Sequence, residues 1–276
     1  MRRSKNKVSM NLNNVLRVYD ALGLPKFPIT VNLEPTNACQ LRCKTCYRQG
    51  RPTGFMSPET FDLAANQIYE TPSISIIKLF LAGESLLHSG LSKMVDHFSE
   101  KKTRLGKRYW TQISTNGTIP FVDYVDRVDS INVSLGGLGR KHEANRAGSS
   151  WEVVHQNIMD CAETRRCRTK LSVNMVQTDE PESEIEQFLT YWQDKVDSVF
   201  VARYHSPELA ISGAGRKRGR CLYLHHSIAI LWDGRVTTCC SDLQGINAYG
   251  SIQSGHLKGM AQPAGALCET CDIWKI

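Results

Sequence analysis

Three closely spaced cysteines, Cys39, Cys43 and Cys46, stand near the start of the sequence. Their spacing is C-x3-C-x2-C, and the apolar run at 27–33 before them is typical of a strand. The cysteines are therefore predicted to lie on a loop that leaves a strand. Three thiolates can hold three irons of a [4Fe–4S] cluster and leave the fourth iron open to a non-protein ligand. An open iron indicates a catalytic role for the cluster, because a purely structural or electron-carrying cluster normally has every iron ligated.

The stretch around these cysteines reads EPTNACQLRCKTCY over residues 34–47. It resembles the cluster-binding motif of the radical S-adenosylmethionine (SAM) superfamily, and especially its SPASM/twitch branch, which includes twitch-type dehydrogenases and epimerases. The resemblance implies that SAM binds the open iron. The alternatives are a zinc knuckle that takes a fourth ligand from elsewhere and a set of buried free thiols.

Cysteine usage and charge narrow the class of protein. Of ten cysteines, three lie at 39–46 and five at 221–271, which favours metal or redox use over a disulfide framework. No stretch approaches the ~18 uninterrupted apolar residues of a membrane span, and no secretory segment follows Met1, so we expect a cytoplasmic protein without a membrane partner. The net charge of +7 includes basic runs at 2–7 and 215–220. No aromatic platform accompanies them, so we expect no nucleic-acid partner.

Short apolar strands alternate with amphipathic stretches after an N-terminal helix at 11–22. Six strands are predicted, near Ile29–Leu33, Ile77–Leu81, Tyr109–Ser114, Ser130–Leu135, Lys170–Val176 and Ser198–Arg203. Helices are predicted between them, near Ser57–Tyr69, Leu91–Lys102, Trp151–Arg165 and Glu182–Lys195. This alternation predicts an α/β fold with parallel strands, but periodicity does not distinguish an open sheet from a partial barrel. The family resemblance implies a partial TIM barrel, (β/α)6.

The pattern changes near Pro207, where the Gly-rich stretch 213–215 predicts a linker. Beyond it, two β-rich runs flank Asp233-Gly234, which is a strong signal for a β-hairpin. We therefore divide the chain into a tail and helix at 1–26, a radical SAM partial barrel at 27–206 and a small domain at 207–276.

The second group of cysteines surrounds this hairpin. Cys221 precedes it, Cys239 ends it, and Cys268 and Cys271 follow as C-x2-C. Four thiolates can fully ligate a second [4Fe–4S] cluster. The pattern resembles the twitch domain, a β-hairpin plus a helix that carries one auxiliary cluster. A structural zinc site is the alternative, because four-cysteine zinc sites use similar ligand spacing.

Segments at the ends of successive predicted strands resemble the SAM-binding elements of the family. The stretch at 82–87 resembles the G-G-E-P segment, which implies that Gly83 and Glu84 hold the methionine ammonium. Ala82 and Ser85 replace two residues of that segment, but the acid is present.

Two further segments complete the resemblance. The stretch at 114–117 implies that Ser114 and Asn116 lie near the SAM ribose. Ser134 and Arg146 match the serine and arginine of an S-L-D-G…R-x-G pattern, which implies contact with the methionine carboxylate, a group that suits a guanidinium fork. Tyr47, directly after the third cysteine, is expected on the adenine side.

Four residues are candidates for contact with the substrate. Cys240 follows a cluster ligand directly, and the alternation of strand side chains points it the other way. Arg203 and His205 close the sixth predicted strand. Asp242 is either a base or a turn former. Two remaining cysteines are interpreted as structural thiols, Cys161 and Cys167.

Together these features predict a radical SAM enzyme that forms a 5′-deoxyadenosyl radical and abstracts a hydrogen atom from a polar small molecule, such as a carbohydrate or aminocyclitol. An auxiliary cluster would take the second electron, which makes the reaction a dehydrogenation, and a flavodoxin or ferredoxin would supply the reducing electron. The open alternatives are a radical epimerase with Cys240 as hydrogen-atom donor, a peptide-modifying radical SAM enzyme, and a metal-bearing nucleic-acid-binding protein.

Overall fold

A computed structural model gives the fold and describes residues 28–48, 50–100, 106, 109–165, 168–204, 221–255, 257 and 267–268. The predicted N-terminal helix, Cys167, His205, the linker at 207–220 and Cys271 lie outside the described residues. The strands are β1 (Thr30–Leu33), β2 (Arg42–Cys43), β3 (Ile76–Lys78), β4 (Trp110–Thr115), β5 (Ser130–Leu135), β6 (Arg146–Ala147), β7 (Lys170–Gln177), β8 (Ser198–Arg203), β9 (Ser227–Ile230), β10 (Arg235–Thr237) and β11 (Gly250–Ser251).

Nine of these strands form one sheet in the order β11-β10-β9-β1-β3-β4-β5-β7-β8. The six from β1 to β8 are parallel and stand in chain order, which confirms the predicted α/β fold with a mostly parallel sheet. On its other side β1 pairs in parallel with β9. The hairpin of β9 and β10 therefore continues the same sheet.

Helices connect the parallel strands, as predicted. They span Pro58–Tyr69, Leu91–Glu100, Arg140–Asn145, Trp151–Thr164, Glu182–Trp192 and Leu222–His226, with single 3-10 turns at Ser85–Leu87 and Val122–Tyr124. Ser57 shows why the first begins where it does: its hydroxyl accepts a hydrogen bond from Thr60 N at 3.1 Å, and a proline follows at the first helical position. No helix in the described ranges combines the length and apolarity needed to cross a bilayer.

The two faces of the parallel sheet differ in chemistry. Side chains such as Val31, Ile77 and Val133 are fully buried in one apolar core with the helices. Most of the alternate positions carry polar side chains, and they form the other face because successive strand residues point to opposite faces. We call this second surface the polar face; it carries Asn32, Lys78, Gln112, Ser114, Asn132, Ser134, Ser172 and Asn174.

The hairpin has the turn that its sequence predicts. Val236 stands opposite Ile230 in the antiparallel pair β9–β10. Gly234 adopts φ +84°, a conformation that L side chains rarely take, so a glycine is required there.

Candidate functional site

The first three cysteines lie on a half-buried loop directly after β1, at residues 39–48, which we call the first cysteine loop. β2 within this loop pairs with β6, and this register places Cys43 opposite Arg146. Lys44 N also donates to Asn145 O at 3.0 Å. Backbone pairing thus holds the predicted R-x-G segment beside the first cysteine loop.

Donor groups surround the thiols of this loop. Arg146 Nη1 lies 3.8 Å from Cys43 Sγ, and Asn116 Nδ2 lies 3.8 Å from Cys39 Sγ. The guanidinium of Arg48 donates to the backbone carbonyls of Asn37, Cys39 and Leu41 at 3.3–3.4 Å. Burial raises the pKa of Cys39 and Cys43, and Arg48 and Arg146 respectively oppose that shift. Donors beside the thiols of Cys39 and Cys43, and the charge of Arg146 near all three thiols, suit thiolate ligands, so the loop fits a cluster.

Gly83 and Glu84 pack directly against the start of this loop. A Cβ atom at Gly83 would lie 2.4 Å from Ala38 O, so a side chain is excluded there. Glu84 N donates to that same carbonyl at 2.7 Å. The Glu84 carboxylate is buried and accepts from Asn116 N at 2.6 Å and Leu86 N at 3.1 Å, while burial raises its pKa. Each carboxylate oxygen has one backbone donor and can accept another, so the acid joins two strand ends and retains capacity for an ammonium.

A neutral histidine fixes the turn that precedes Arg146. Gly136 N donates to His142 Nδ1 at 3.2 Å, which assigns the ring proton to Nε2, 2.8 Å from Ser149 Oγ. Burial, with a further contribution from Arg146, lowers the pKa of His142 to about 4. His142 is therefore uncharged at neutral pH and fixes the turn that presents Arg146.

The remaining predicted SAM residues lie around the same strand ends. Ser114 and Ser134 both sit on the polar face, where Asn132 Nδ2 donates to Ser114 Oγ at 3.2 Å and Ser134 Oγ donates to Asn174 Oδ1 at 3.2 Å. Tyr47 ends the first cysteine loop, and its carbonyl lies 3.5 Å from Gln244 Nε2.

Cys239 and Cys240 lie in the turn that follows β10, and the turn approaches Cys268 through Asn247. We call residues 221–247 together with 267–268 the second cysteine region. Asp242 is buried and organises its turn, because its carboxylate accepts from Ile246 N at 2.8 Å, Asn247 N at 2.9 Å and the Thr237 hydroxyl. Asn247 Nδ2 in turn lies 3.5 Å from Cys268 Sγ. The turn-forming interpretation of Asp242 accounts for these contacts.

Cys240 links this region electrostatically to the polar face. Its thiol interacts with Cys221 within the region and with Lys78 on the polar face. Burial raises the pKa of the thiol, and Lys78 opposes the shift. Across the described ranges no three His, Cys, Asp or Glu side chains meet closely enough to hold a single metal ion.

The structure does not bring Arg203 to these groups. Arg203 is exposed and shares its sheet face with Val199 and Val201, which pack against the helix-side core, whereas Phe200 and Ala202 alternate onto the face of Asn174. Cys161 is buried within a helix, as a structural thiol would be, and burial raises its pKa to about 12.

Sequence reasoning missed a buried ion pair that joins the two cysteine regions. Glu34, at the end of β1, accepts from Arg51 Nη1 and Nη2 at 2.9 and 2.6 Å, and the two side chains are 0% and 4% exposed. Trp232 N donates to the same carboxylate at 3.1 Å, and Arg51 Nε donates to Leu243 O at 2.7 Å. Glu34 could have been noticed as an acid at the end of an apolar strand. The sequence does not show that Arg51 is its partner.

Comparison with known proteins identifies the family. A family model described as the radical SAM superfamily matches residues 33–191, more than half of the chain. The chain therefore belongs to the radical SAM superfamily, whose members use SAM and a [4Fe–4S] cluster. The donors around Cys39, Cys43 and Cys46 make them the residues that would hold this cluster.

Individual relatives are distant. A curated relative, pre-heme d1 synthase of Dinoroseobacter shibae, is 26% identical over 204 residues, and the match covers 71% of this chain and 47% of the relative. The chain thus spans about half the length of that protein. Among solved structures, Streptococcus suis SuiB bound to precursor peptide SuiA gives a TM-score of 0.70 at 15% identity, covering 96% of this chain and 74% of SuiB. Native anSMEcpe with bound AdoMet gives 0.66 at 13% identity, covering 84% of this chain and 80% of that chain. These likenesses show the shared fold.

Proposed function

We propose that this chain is a radical SAM oxidoreductase that dehydrogenates a polar small molecule, and that the second cysteine region is a twitch domain with an auxiliary [4Fe–4S] cluster. The observation that carries the proposal is that the second cysteine set lies close to the polar face, because Cys240, next to Cys239, interacts electrostatically with both Cys221 and Lys78. When bound, SAM with its cluster supplies a 5′-deoxyadenosyl radical, and an auxiliary cluster supplies an acceptor for the second electron.

The chain's own residues then bind and orient the reactants. Glu84 accepts from the SAM ammonium and Arg146 donates to its carboxylate, a pairing of opposite charges in a partly dry site. Residues Gly83, Ser114, Asn116, Ser134 and Tyr47 complete the SAM contacts in this proposal, and four thiolates hold the auxiliary cluster: Cys221, Cys239, Cys268 and Cys271. A flavodoxin or ferredoxin supplies the reducing electron.

Anaerobic reconstitution tests this function. The reconstituted protein with SAM and a reductant should form 5′-deoxyadenosine when given fractionated polar metabolites, and the product should be oxidised by one electron pair. Iron should reach about eight atoms per chain. Stoichiometric zinc with about four irons would contradict the auxiliary cluster. Stimulation by peptide fractions alone would contradict the substrate class.

A second candidate is a radical epimerase, which the position of the Cys240 thiol beside the polar face favours. Cys240 would then return a hydrogen atom to the opposite face of the substrate carbon. Turnover in D2O separates the two reactions. Deuterium in a redox-neutral product, absent with Cys240→Ala, would establish the epimerase, whereas a dehydrogenase should retain substantial turnover in that variant.

A further inference from the structure

Lys78 is a charged side chain placed on the polar face of the sheet. It ends β3 in register with Asn32 on one side and Gln112 on the other. Its neighbour Ile77 points the opposite way into the apolar core. In the sequence Lys78 interrupts the otherwise apolar run at 76–82. A lysine in such a strand is costly to bury, so its position calls for a partner.

In the described ranges the titratable neighbour of this lysine is a thiol rather than a carboxylate. Among the described residues no carboxylate pairs with its amine and no hydrogen bond holds it. Burial lowers the pKa of the amine, and the Cys240 thiol is the one titratable group with a resolved effect on it. Lys78 is half-buried, and charges that are withdrawn from water are usually paired, so one without a carboxylate partner in a site is a candidate for ligand binding.

Gln112 beside it is also available. Elsewhere on the polar face the side chains bond to one another, since Asn132 Nδ2 donates to Asn174 Oδ1 at 2.8 Å and Ser172 Oγ donates to Asn132 Oδ1 at 3.0 Å. The carboxamide of Gln112 makes no hydrogen bond to the residues that the structure describes. Two neighbouring strands thus present an ammonium and an amide with free donors.

We propose, resting on the proposed function, that Lys78 and Gln112 bind an anionic oxygen group of the substrate, a carboxylate or a phosphate, on the polar face. An ammonium with an amide beside it satisfies such a group by charge-assisted hydrogen bonds. The same ammonium repels a protonated amino group. The proposal therefore narrows the expected substrate to an acidic polar molecule and disfavours an aminocyclitol.

Four probes that share one sugar ring test this charge preference. Glucuronate, glucose 6-phosphate, glucose and glucosamine are titrated by anaerobic calorimetry into the reconstituted protein with SAM bound and no reductant, so that SAM occupies Arg146 and no turnover occurs. One or both anions should bind roughly ten- to hundredfold more tightly than glucose, and glucosamine should bind most weakly. Lys78→Met should remove the preference and leave glucose affinity unchanged. Lys93→Met, which removes an exposed lysine from a helix, is the matched control and should change nothing.

Several results would overturn the proposal. These are anions that bind no better than glucose or not at all, an anion preference that survives Lys78→Met, and an altered auxiliary-cluster potential in that variant with anion binding intact. If Lys78→Met fails to fold, Lys78→Gln replaces it, and Lys78→Arg should keep the preference. Failure of the proposed function would appear separately, as a missing oxidised product or a missing second cluster, because binding is measured without turnover.

Discussion

The two cysteine regions are held by different kinds of contact. In the first cysteine loop the thiols meet side chains that arrive from distant strand ends, Asn116 after β4 and Arg146 in β6. In the second cysteine region the turn is organised locally, since Asp242 caps the backbone that also carries Asn247, while Trp232 and Leu243 bond to Glu34 and Arg51 outside the region. The first loop is therefore organised by the sheet, and the turn of the second region mainly by its own backbone. Substitutions after β4 and in β6 should disturb the first loop but not this turn.

The largest expected effect is a loss of activity that leaves the second cysteine region intact. Replacing Cys39, Cys43 and Cys46 together by alanine should abolish 5′-deoxyadenosine formation, because the open iron has no other protein ligands. The variant should keep about half of the iron of the reconstituted protein. Iron and sulfide analysis with Mössbauer spectra measures this. Loss of nearly all iron would show that the second region does not hold a cluster by itself.

The ion pair of Glu34 and Arg51, which flank the first cysteine loop and bond to the second cysteine region, should give the next largest effect. Arg51→Met leaves the Glu34 carboxylate buried without its cation, which costs about 3–5 kcal/mol in the free energy of unfolding. Denaturant titration measures it. The double variant Glu34→Leu/Arg51→Met should recover part of the loss, because no unpaired charge stays buried, although Trp232 N and Leu243 O lose their partners. With Glu34→Leu the cycle is complete and gives the coupling. A single variant as stable as the parent would show that the pair does not join the regions energetically.

A variant of Arg146 tests whether a side chain near a strand end is needed for SAM binding at the first cysteine loop. Arg146→Ala should weaken SAM binding roughly ten- to hundredfold, the effect of losing one charge-assisted contact. Arg140→Ala, at an exposed position in the helix just before it, is the control and should bind SAM normally. Anaerobic equilibrium dialysis measures both.

Glu84→Ala should weaken SAM binding similarly and also destabilise the fold, because two backbone N–H groups lose their acceptor. SAM binding that is unchanged in both Glu84→Ala and Arg146→Ala would refute the assignment of these residues.

The smallest expected effect is an acid sensitivity confined to the first region. The folded-state pKa of His142, about 4, lies below the value of about 6.5 for an unfolded chain. The stability from its neutral ring is complete above pH 6.5 and is lost as the pH falls toward 4. We expect a loss of about 2 kcal/mol between pH 7 and pH 5.

His142→Gln keeps an acceptor and a donor but does not titrate, so it should flatten this part of the stability profile. His88→Gln serves as the control and should retain it. Chemical denaturation at a series of pH values measures the free energy of unfolding of each variant. If its dependence on pH is unchanged in His142→Gln, the acid sensitivity comes from other residues.

Much of the fold could be predicted because its signals are local. Alternating runs and Asp233-Gly234 indicated the strands and the hairpin, and these elements are confirmed to within a few residues. The parallel pairing of β9 with β1 was not predicted, since it joins Thr30 to Ser227 and no local pattern encodes such a contact. Lys78 was not predicted as a site residue, although it interrupts an apolar run in the sequence. A strand pattern does not show which groups lie opposite a charged side chain.

The candidate site could be predicted in most detail where its residues are consecutive, and in least detail where a residue needs a distant partner. The spacing of the cysteines carries its own chemistry, so the first loop could be assigned. Arg203 illustrates the opposite case: its place at a strand end was right, but the period of two assigns it to the helix-covered face. His205 and Cys271 stay predictions, because they lie outside the described residues.

The pairing of β9 with β1 also has a consequence for how the protein is made. β1 leads into the first cysteine loop, and its outer edge is completed only by a strand that begins at Ser227. At ribosomal rates of about 5–20 residues per second, that edge stays open for roughly 10–40 seconds after β1 is synthesised. An open strand edge is a template for wrong partners. We therefore expect a fragment that ends at Tyr204 to self-associate through β1, which light scattering would detect, and a chaperone to be needed during synthesis.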